Sequence, residues 1–391
     1  MVSGATLCSV LIGVDASRVT RPIRTGVENY SLHVLRHLLA QDQHNAYRLY
    51  LSRPLGDGLL PIGPRTSSRL IQLPRLWTHL GLSSEMLISP PDVLFVPSHV
   101  LPLVTPSPSV VVVYDVGHRF FPRAHRLTEW LYAEWAIRRH VRTASRLLTI
   151  SEASRRDLMR LYGADASRIT VAYPAAGERF QPATGADIAR VRARYGLGES
   201  YVLHLGTIKP RKNLPRLVRA FASAGLPPET QLVLGGTTTF GARAVDEAVR
   251  ETGIGKRVRR LAYVPDADLP ALYGGAACVA LVSLYEGFGM PALEALACAA
   301  PVVVGNRGSL PEIVGDAALV VDPLVVESIA GGLKRAVGDT TLRATLRARG
   351  PRRAARFDWA AAAGVTRQAL EQAWLPEART RPRSRQPSAA R

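Results

Sequence analysis

Short apolar runs recur along this chain, each followed by a helical stretch, and the series is run through twice. The first series lies at 8–15, 47–52, 69–74, 93–97, 110–115, 146–150 and 169–173, with helical patterns at 28–40, 127–144 and 152–162. The second lies at 201–205, 232–235, 258–264, 278–283, 301–304 and 319–322, with helices such as 214–224 and 269–273 between them. A strand that is apolar throughout is buried on both faces, and a helix between successive strands provides the crossover of a parallel sheet. Each series therefore predicts a doubly wound α/β domain. Residues 181–200 read as the junction, with Pro182, Gly185, Gly196 and Gly198 around a basic helical stretch. A chain of 391 residues also exceeds one typical core. Two such sheets facing each other leave a cleft at the carboxyl ends of their strands, where ligands bind in this architecture.

The boundaries follow from the same reading: a first domain at 1–185, a second at 199–356, a last helix at 357–375 crossing back to the first domain, and a tail at 376–391. Two helices, 326–337 and 341–349, close the second domain, and Gly350 with Pro351 is expected to end or kink the latter. The tail, PEARTRPRSRQPSAAR, has almost nothing apolar to bury and is expected to be disordered.

The formal charge is +19, and only four of the 50 basic residues are lysines. Arginine and alanine richness of this kind can reflect genomic base composition alone. Otherwise it points to acidic ligands or to peripheral contact with an anionic membrane. Nucleic acid is not expected, because no helix-turn-helix, zinc-finger or RNP pattern is present. No apolar run approaches the roughly 18–20 residues of a spanning helix. The start, MVSGATLCSVLIGVD, lacks a basic segment and reads directly into a strand, which predicts no signal peptide. Cys8, Cys278 and Cys298 each sit in an apolar run and read as free thiols, consistent with a cytoplasmic location.

The segment SLYEGFGMPALEALAC, 283–298, carries the strongest chemical signal. A strand ends, Gly287 and Gly289 turn the chain, and Pro291 suits the first turn of a helix. Glu286 then lies in the loop and Glu294 about one turn into the helix. Amides at such a helix start attract anions, above all phosphates. Two carboxylates beside a phosphate site make sense if they accept hydrogen bonds from hydroxyls of the same ligand, and a nucleotide sugar offers both groups. The alternative for Glu294 is a simple interaction with the helix dipole. In LHLGTIKPRKNL, 203–214, a strand ends at Gly206 and a helix begins near Asn213. Arg211 and Lys212 would meet a phosphate there; the alternative is a solvated basic helix start. Cations fixed where a leaving diphosphate gains charge stabilise the transition state more than the ground state, and need no metal.

Four further segments are weaker. Gly26, in RTGVENY, would let backbone approach a ligand closely, or would be an ordinary turn. The strand at 110–113 delivers Tyr114 and Asp115 to the cleft rim, with His118 three residues on. Ser151 reads as the N-cap of the next helix. Asp266 and Asp268 read as helix caps, with a metal site as the minority case. Helix 127–144 combines Trp130, Leu131, Ile137 and Val141 with Arg138, Arg139 and Arg142, and suits either core packing or an anionic membrane surface.

Over about residues 5–375 the chain resembles the retaining glycosyltransferases of the GT-B fold that include many bacterial mannosyltransferases (glycosyl transferases group 1, family 4). The resemblance rests on EGFGMPALE together with PVVVGNRGSLPEIVGD, 301–316. It implies two Rossmann-like domains facing across a cleft. It implies Glu286 near the donor sugar hydroxyls and Glu294 on the ribose. Backbone around Gly287, Phe288, Gly289 and Met290 would hold the donor phosphate or sugar, as would the glycine loop at Gly26, and Asp115 would join Glu286, Arg211 and Lys212 as a catalytic residue. Ser151 matches a turn that lines the cleft. Two departures stand out: Tyr114 occupies a place where many relatives have histidine, and Thr207 follows the strand glycine where some have arginine. The implied activity is metal-independent transfer of a hexose, mannose from GDP-mannose before a UDP-sugar, to a saccharide or lipid-linked acceptor. No separate cofactor is expected. A nucleotide-sugar epimerase of the same architecture, or a non-catalytic basic binding module, are the competing readings.

Overall fold

The computed structural model describes residues 9–21, 26–98, 100–106, 108–237 and 241–375. Cys8, Arg24, Thr25 and the tail at 376–391 lie outside them. The first sheet comprises β1 (Leu11–Asp15), β2 (Ala46–Leu51), β3 (Thr66–Leu70), β4 (Val93–Val96), β5 (Ser109–Val113), β6 (Arg146–Thr149) and β7 (Ile169–Val171). Its order is β3-β2-β1-β4-β5-β6-β7, with every pair parallel. Around it lie α1 (Gly26–Gln41), α2 (Leu82–Ile88), α3 (Gly117–Phe120), α4 (Leu127–Thr143) and α5 (Glu152–Tyr162).

After α6 (Gly185–Tyr195), the second sheet comprises β8 (Tyr201–Leu205), β9 (Gln231–Gly235), β10 (Val258–Leu261), β11 (Cys278–Leu281), β12 (Val302–Gly305) and β13 (Leu319–Val321). Its order is β10-β9-β8-β11-β12-β13, again parallel. Its helices are α7 (Leu214–Ser223), α8 (Ala242–Thr252), α9 (Leu269–Gly274), α10 (Met290–Ala297), α11 (Leu310–Val314), α12 (Val326–Gly338) and α13 (Thr340–Ala354). Strand order reverses between β1 and β4 in one sheet and between β8 and β11 in the other, and such switch points are where open α/β sheets bind ligands. The last helix, α14 (Trp359–Trp374), packs on α1 of the first domain. Trp359 stacks on His33 at 4.9 Å and meets Tyr30 edge-on at 5.7 Å.

The central strands β4, β5, β8, β11 and β12 are buried at every residue, which is why their apolar runs mark them so clearly. The edge strands differ. β3 is exposed at four of its five residues and begins three residues before the expected 69, because an edge strand needs no apolar run. β10, also an edge, stops at Leu261 rather than 264.

Two expectations about local structure are corrected. Helix α13 runs through Gly350 and Pro351 instead of ending there. Its packing outweighs the lost hydrogen bond: Arg347 donates to the carbonyls of Gly274, Ala276 and Ala299, Arg353 donates to those of Ile313 and Glu312, and Gly350 lies so close to α10 that a Cβ would fall 2.8 Å from the Leu296 carbonyl. Neither Asp266 nor Asp268 caps α9 as expected. Asp268 is buried and pairs with Arg190 and Arg194 of α6, accepting also from the Tyr195 hydroxyl, whereas Asp266 pairs with Arg179. Burial of Asp268 beside two arginines makes ion pairing a better use of the carboxylate than capping.

Candidate active site

Gly206 closes β8 with φ of +143°, a conformation suited to glycine. A tight turn, Pro210–Lys212, follows. Asn213 then adopts φ of +60°, held there by its side-chain amide, which donates to the Val282 and Pro323 carbonyls at 3.1 and 2.6 Å. The turn is thereby fastened to the end of β11, and Leu284 N–H donates to the Arg211 carbonyl at 2.8 Å. Its two cations reach the neighbouring loop. Lys212 Nζ lies 2.5 Å from Glu286 Oε1, and an Arg211 guanidinium nitrogen lies 2.5 Å from Oε2 and 3.0 Å from the Tyr285 carbonyl. Ser283 Oγ donates to Glu286 Oε1 at 2.7 Å.

Glu286 and Lys212 are buried, at 5% and 6% exposure, and Arg211 is partly so. Burial pushes the Glu286 carboxyl up, but the Lys212 and Arg211 charges and the hydrogen bonds from Lys212 and Ser283 outweigh it and hold it at about 2. Burial lowers the Lys212 ammonium, and the Glu286 carboxylate limits the fall. Two cations against one carboxylate leave this cluster with a net positive charge at the switch point.

The glycine loop after Glu286 touches the other domain. A Cβ at Gly287 would fall 2.7 Å from Asp115 Cβ and 2.9 Å from the Tyr114 carbonyl. The Gly287 carbonyl accepts from Ser151 Oγ at 2.6 Å. Ser151 also caps α5 through Ser154 N–H, as its sequence predicts. Gly289 has φ of +100° and begins α10 with no side-chain cap. The Phe288 side chain turns into the core against Phe357, leaving only its backbone to the loop. Met290, partly buried, packs against the same core.

The structure thus gathers Asp115, Gly206, Arg211, Lys212, Glu286 and Gly287. Asp115 accepts from Gly117 N–H at 2.8 Å and contributes to the field at Arg211. Glu294 sits apart on α10, accepting from the Tyr273 hydroxyl at 2.9 Å, with Asp266 and Arg179 as its charged neighbours. Burial raises its carboxyl to about 7. Gly26, on the first domain, begins α1, and a Cβ there would meet nothing within 4 Å among the described residues.

Tyr114 and His118 are both held by partners within the first domain. Tyr114 is buried against Tyr30, and its hydroxyl donates to the Pro97 carbonyl at 2.7 Å. His118 Nε2 lies 3.2 Å from Glu134 and 3.1 Å from the Tyr162 hydroxyl, inside a buried cluster beneath α4.

Three contributors escaped the sequence reading. Gly308 has φ of +62°, and a Cβ there would fall 2.7 Å from the Glu286 carbonyl; Ser309 Oγ lies 3.0 Å from that carbonyl and 2.8 Å from that of Phe288. They brace the loop from behind. Glu312 crosses between the domains: its carboxylate accepts from Glu152 and Ala153 N–H at the start of α5, at 2.7 and 3.0 Å, and from the Tyr173 hydroxyl at 2.7 Å. The segment PEIVGD was visible in the sequence, but nothing local marks a partner 160 positions away.

Residues 187–353 match the model for "Glycosyl transferases group 1". An Escherichia coli protein, O-antigen chain mannosyltransferase B, is 30% identical over 364 residues, spanning 87% of this chain and 95% of that one. The chain belongs to the group 1 glycosyltransferases. A D-inositol 3-phosphate glycosyltransferase of Kineococcus radiotolerans is 33% identical over 253 residues, or 60% of this chain and 58% of that protein. Among solved structures, sucrose-phosphate synthase of Thermosynechococcus elongatus superimposes with a TM-score of 0.72 at 21% identity, covering 93% of this chain and 98% of that one. HepE of Anabaena, solved with UDP and glucose, gives 0.71 at 20% identity over 93% and 99%. The architecture of this group 1 glycosyltransferase is therefore GT-B, with the Glu286 cluster on the second domain facing the first.

Proposed function

We propose that this glycosyltransferase moves mannose from GDP-mannose to a hydroxyl of a saccharide or lipid-linked acceptor, with retention of configuration and without a metal. The observation that carries the donor reading is the buried cluster of Lys212, Arg211 and ionised Glu286 at the switch point of the second sheet. The mannosyltransferase relative supports the choice of sugar. In this reading the net positive charge receives the diphosphate, Glu286 accepts from donor sugar hydroxyls, and Glu294 accepts from the ribose hydroxyls.

The bond from the sugar anomeric carbon to the diphosphate oxygen breaks, and the acceptor oxygen bonds to that carbon from the same face. The leaving diphosphate oxygen takes the acceptor proton. Lys212 and Arg211 stabilise the charge that collects on the leaving group, so their effect is larger in the transition state. Glu286 is committed to two cations and a serine, which leaves it unsuited to act as a nucleophile. Closure of the domains where Gly287 meets Asp115 and Ser151 would exclude water and suppress donor hydrolysis.

The acceptor end is proposed to lie at an anionic membrane surface. Helix α4 buries Ile137 and Val141 but exposes Leu127 and Leu131, and leaves Tyr132 and Trp135, whose rings also meet His79, partly open to solvent. Arg142 lies on the same helix, whereas Arg138 pairs with Glu134 at 2.9 Å and Arg139 is committed to the carbonyls of Leu101, Pro102 and Leu103. Among the described residues no helix is long and apolar enough to cross a membrane.

Incubation with GDP-mannose, UDP-glucose and dTDP-glucose, with and without acceptor saccharides, tests the reading by NMR of the product's anomeric centre. Axial-to-axial transfer from GDP-mannose supports it. Inversion, or turnover of the nucleotide sugar to its epimer without acceptor, overturns it.

A further inference from the structure

His204 is fully buried on β8, two residues before Gly206, and so on the same face of the strand. Its Nδ1 lies 2.9 Å from the Ala280 carbonyl on the neighbouring strand. A carbonyl only accepts, so Nδ1 carries the proton and Nε2 presents a bare lone pair. That Nε2 is buried and has no hydrogen-bond partner. Buried polar atoms are almost always paired, so one that is not calls for a reason.

The surroundings give one. A Cβ at Gly206 would lie 3.8 Å from His204 Nε2 and 3.6 Å from Lys212 Nζ. The imidazole and the ammonium thus border the same space, which exists because residue 206 has no side chain. Burial and the Lys212 charge hold the imidazole at about 4, so it is neutral at ordinary pH. Lys212 and Glu286 are the charged groups that act on it. An ammonium has three N–H donors, and Glu286 takes one.

We propose that His204 is a positioning residue for Lys212: its Nε2 accepts a second N–H of the ammonium when a phosphate takes the third, fixing the direction in which the ammonium meets the leaving diphosphate. A neutral acceptor suits this role. It orients the ammonium without adding negative charge that would compete with the phosphate. The inference rests on the proposed donor site and assigns a residue that does not itself touch the ligand.

Two substitutions separate the two nitrogens. His204→Asn keeps a donor near the Nδ1 position and removes the acceptor toward Lys212. His204→Gln keeps an acceptor near the Nε2 position and gives up the bond to Ala280. Binding of GDP, UDP and dTDP is measured by calorimetry, with kcat against pH and thermal melting for each protein. The expected result is about tenfold weaker nucleotide binding in the Asn variant, the loss of one hydrogen bond to a charged group. Its kcat should also fall off at lower pH on the alkaline side, because the ammonium has lost an acceptor, and the Gln variant should recover most of both effects. Asn and Gln variants that lose activity only in step with their melting temperatures, with the alkaline limb unmoved, overturn the inference. A wild-type protein that binds none of the three nucleotides overturns the donor site, and this inference with it.

Discussion

Lys212 and Glu286 lie 74 positions apart in the chain and 2.5 Å apart in the fold, joined inside the protein by the segments that follow the paired strands β8 and β11. Removing one partner of a buried pair leaves the other charge uncompensated, at a cost of about 3–5 kcal/mol. Glu286→Ala is therefore expected to lose both transfer and stability, with a lower melting temperature by calorimetry. Adding Lys212→Met should restore much of the melting temperature without restoring transfer. A double variant no more stable than Glu286→Ala would argue against a coupled pair. The same carboxyl, held at about 2, contributes stability that is complete above its unfolded value of roughly 4.5 and is lost as the pH falls toward 2.

Glu294 behaves in the opposite sense. Its carboxyl is raised to about 7, so the folded state favours the protonated form. The contribution is complete below roughly pH 4.5 and is lost as the pH rises through 7. Melting temperatures followed from pH 5 to 8 should fall more in wild type than in Glu294→Gln. If ribose hydroxyls donate to this carboxylate, the ionised form binds better, and GDP binding should strengthen from pH 6 to 8 and then level. Calorimetry on the Gln variant should show no such rise.

Glu312 holds the domains together through two amides and a phenol. Hydrogen bonds to a charged group contribute about 1.5–3 kcal/mol each. Glu312→Ala should widen the average separation of the domains, seen as a larger radius of gyration by X-ray scattering, and raise KM for the donor. An unchanged scattering curve would remove Glu312 from any role in closure.

The exposed face of α4 makes a prediction independent of the catalytic cluster. Vesicles containing anionic phospholipid should retain the wild-type protein in sedimentation, and neutral vesicles should retain less. Leu127→Ser with Trp135→Ser should release it while transfer to a soluble acceptor is unchanged. Retention equal on both vesicle types, or unaffected by the substitutions, would count against this face.

What the sequence made legible follows burial. The strands at the centre of each sheet are apolar on both faces and announce themselves, whereas β3 and β10, exposed at the edges, were read with displaced ends. The glutamates and glycines of 283–298 were readable because a turn and a helix start constrain their neighbours. Long-range commitments were not: that Arg211 and Lys212 share one carboxylate, or that Asp268 binds α6 instead of capping α9, depends on elements brought together only by folding. Tyr114 shows the same limit. Its position after β5 was evident, but its turn toward Tyr30 and Pro97 depends on packing within the first domain.

The seating of Trp359 against Tyr30 and His33 bears on the order of assembly. A protein is made from its amino end at about 5–20 residues per second, so α1 emerges from the ribosome tens of seconds before the helix that covers it. Until then the apolar flank of α1 is bare. The domain that is synthesised first is finished last, and a chaperone that shields that flank would act on the nascent chain before the nucleotide-sugar site is complete.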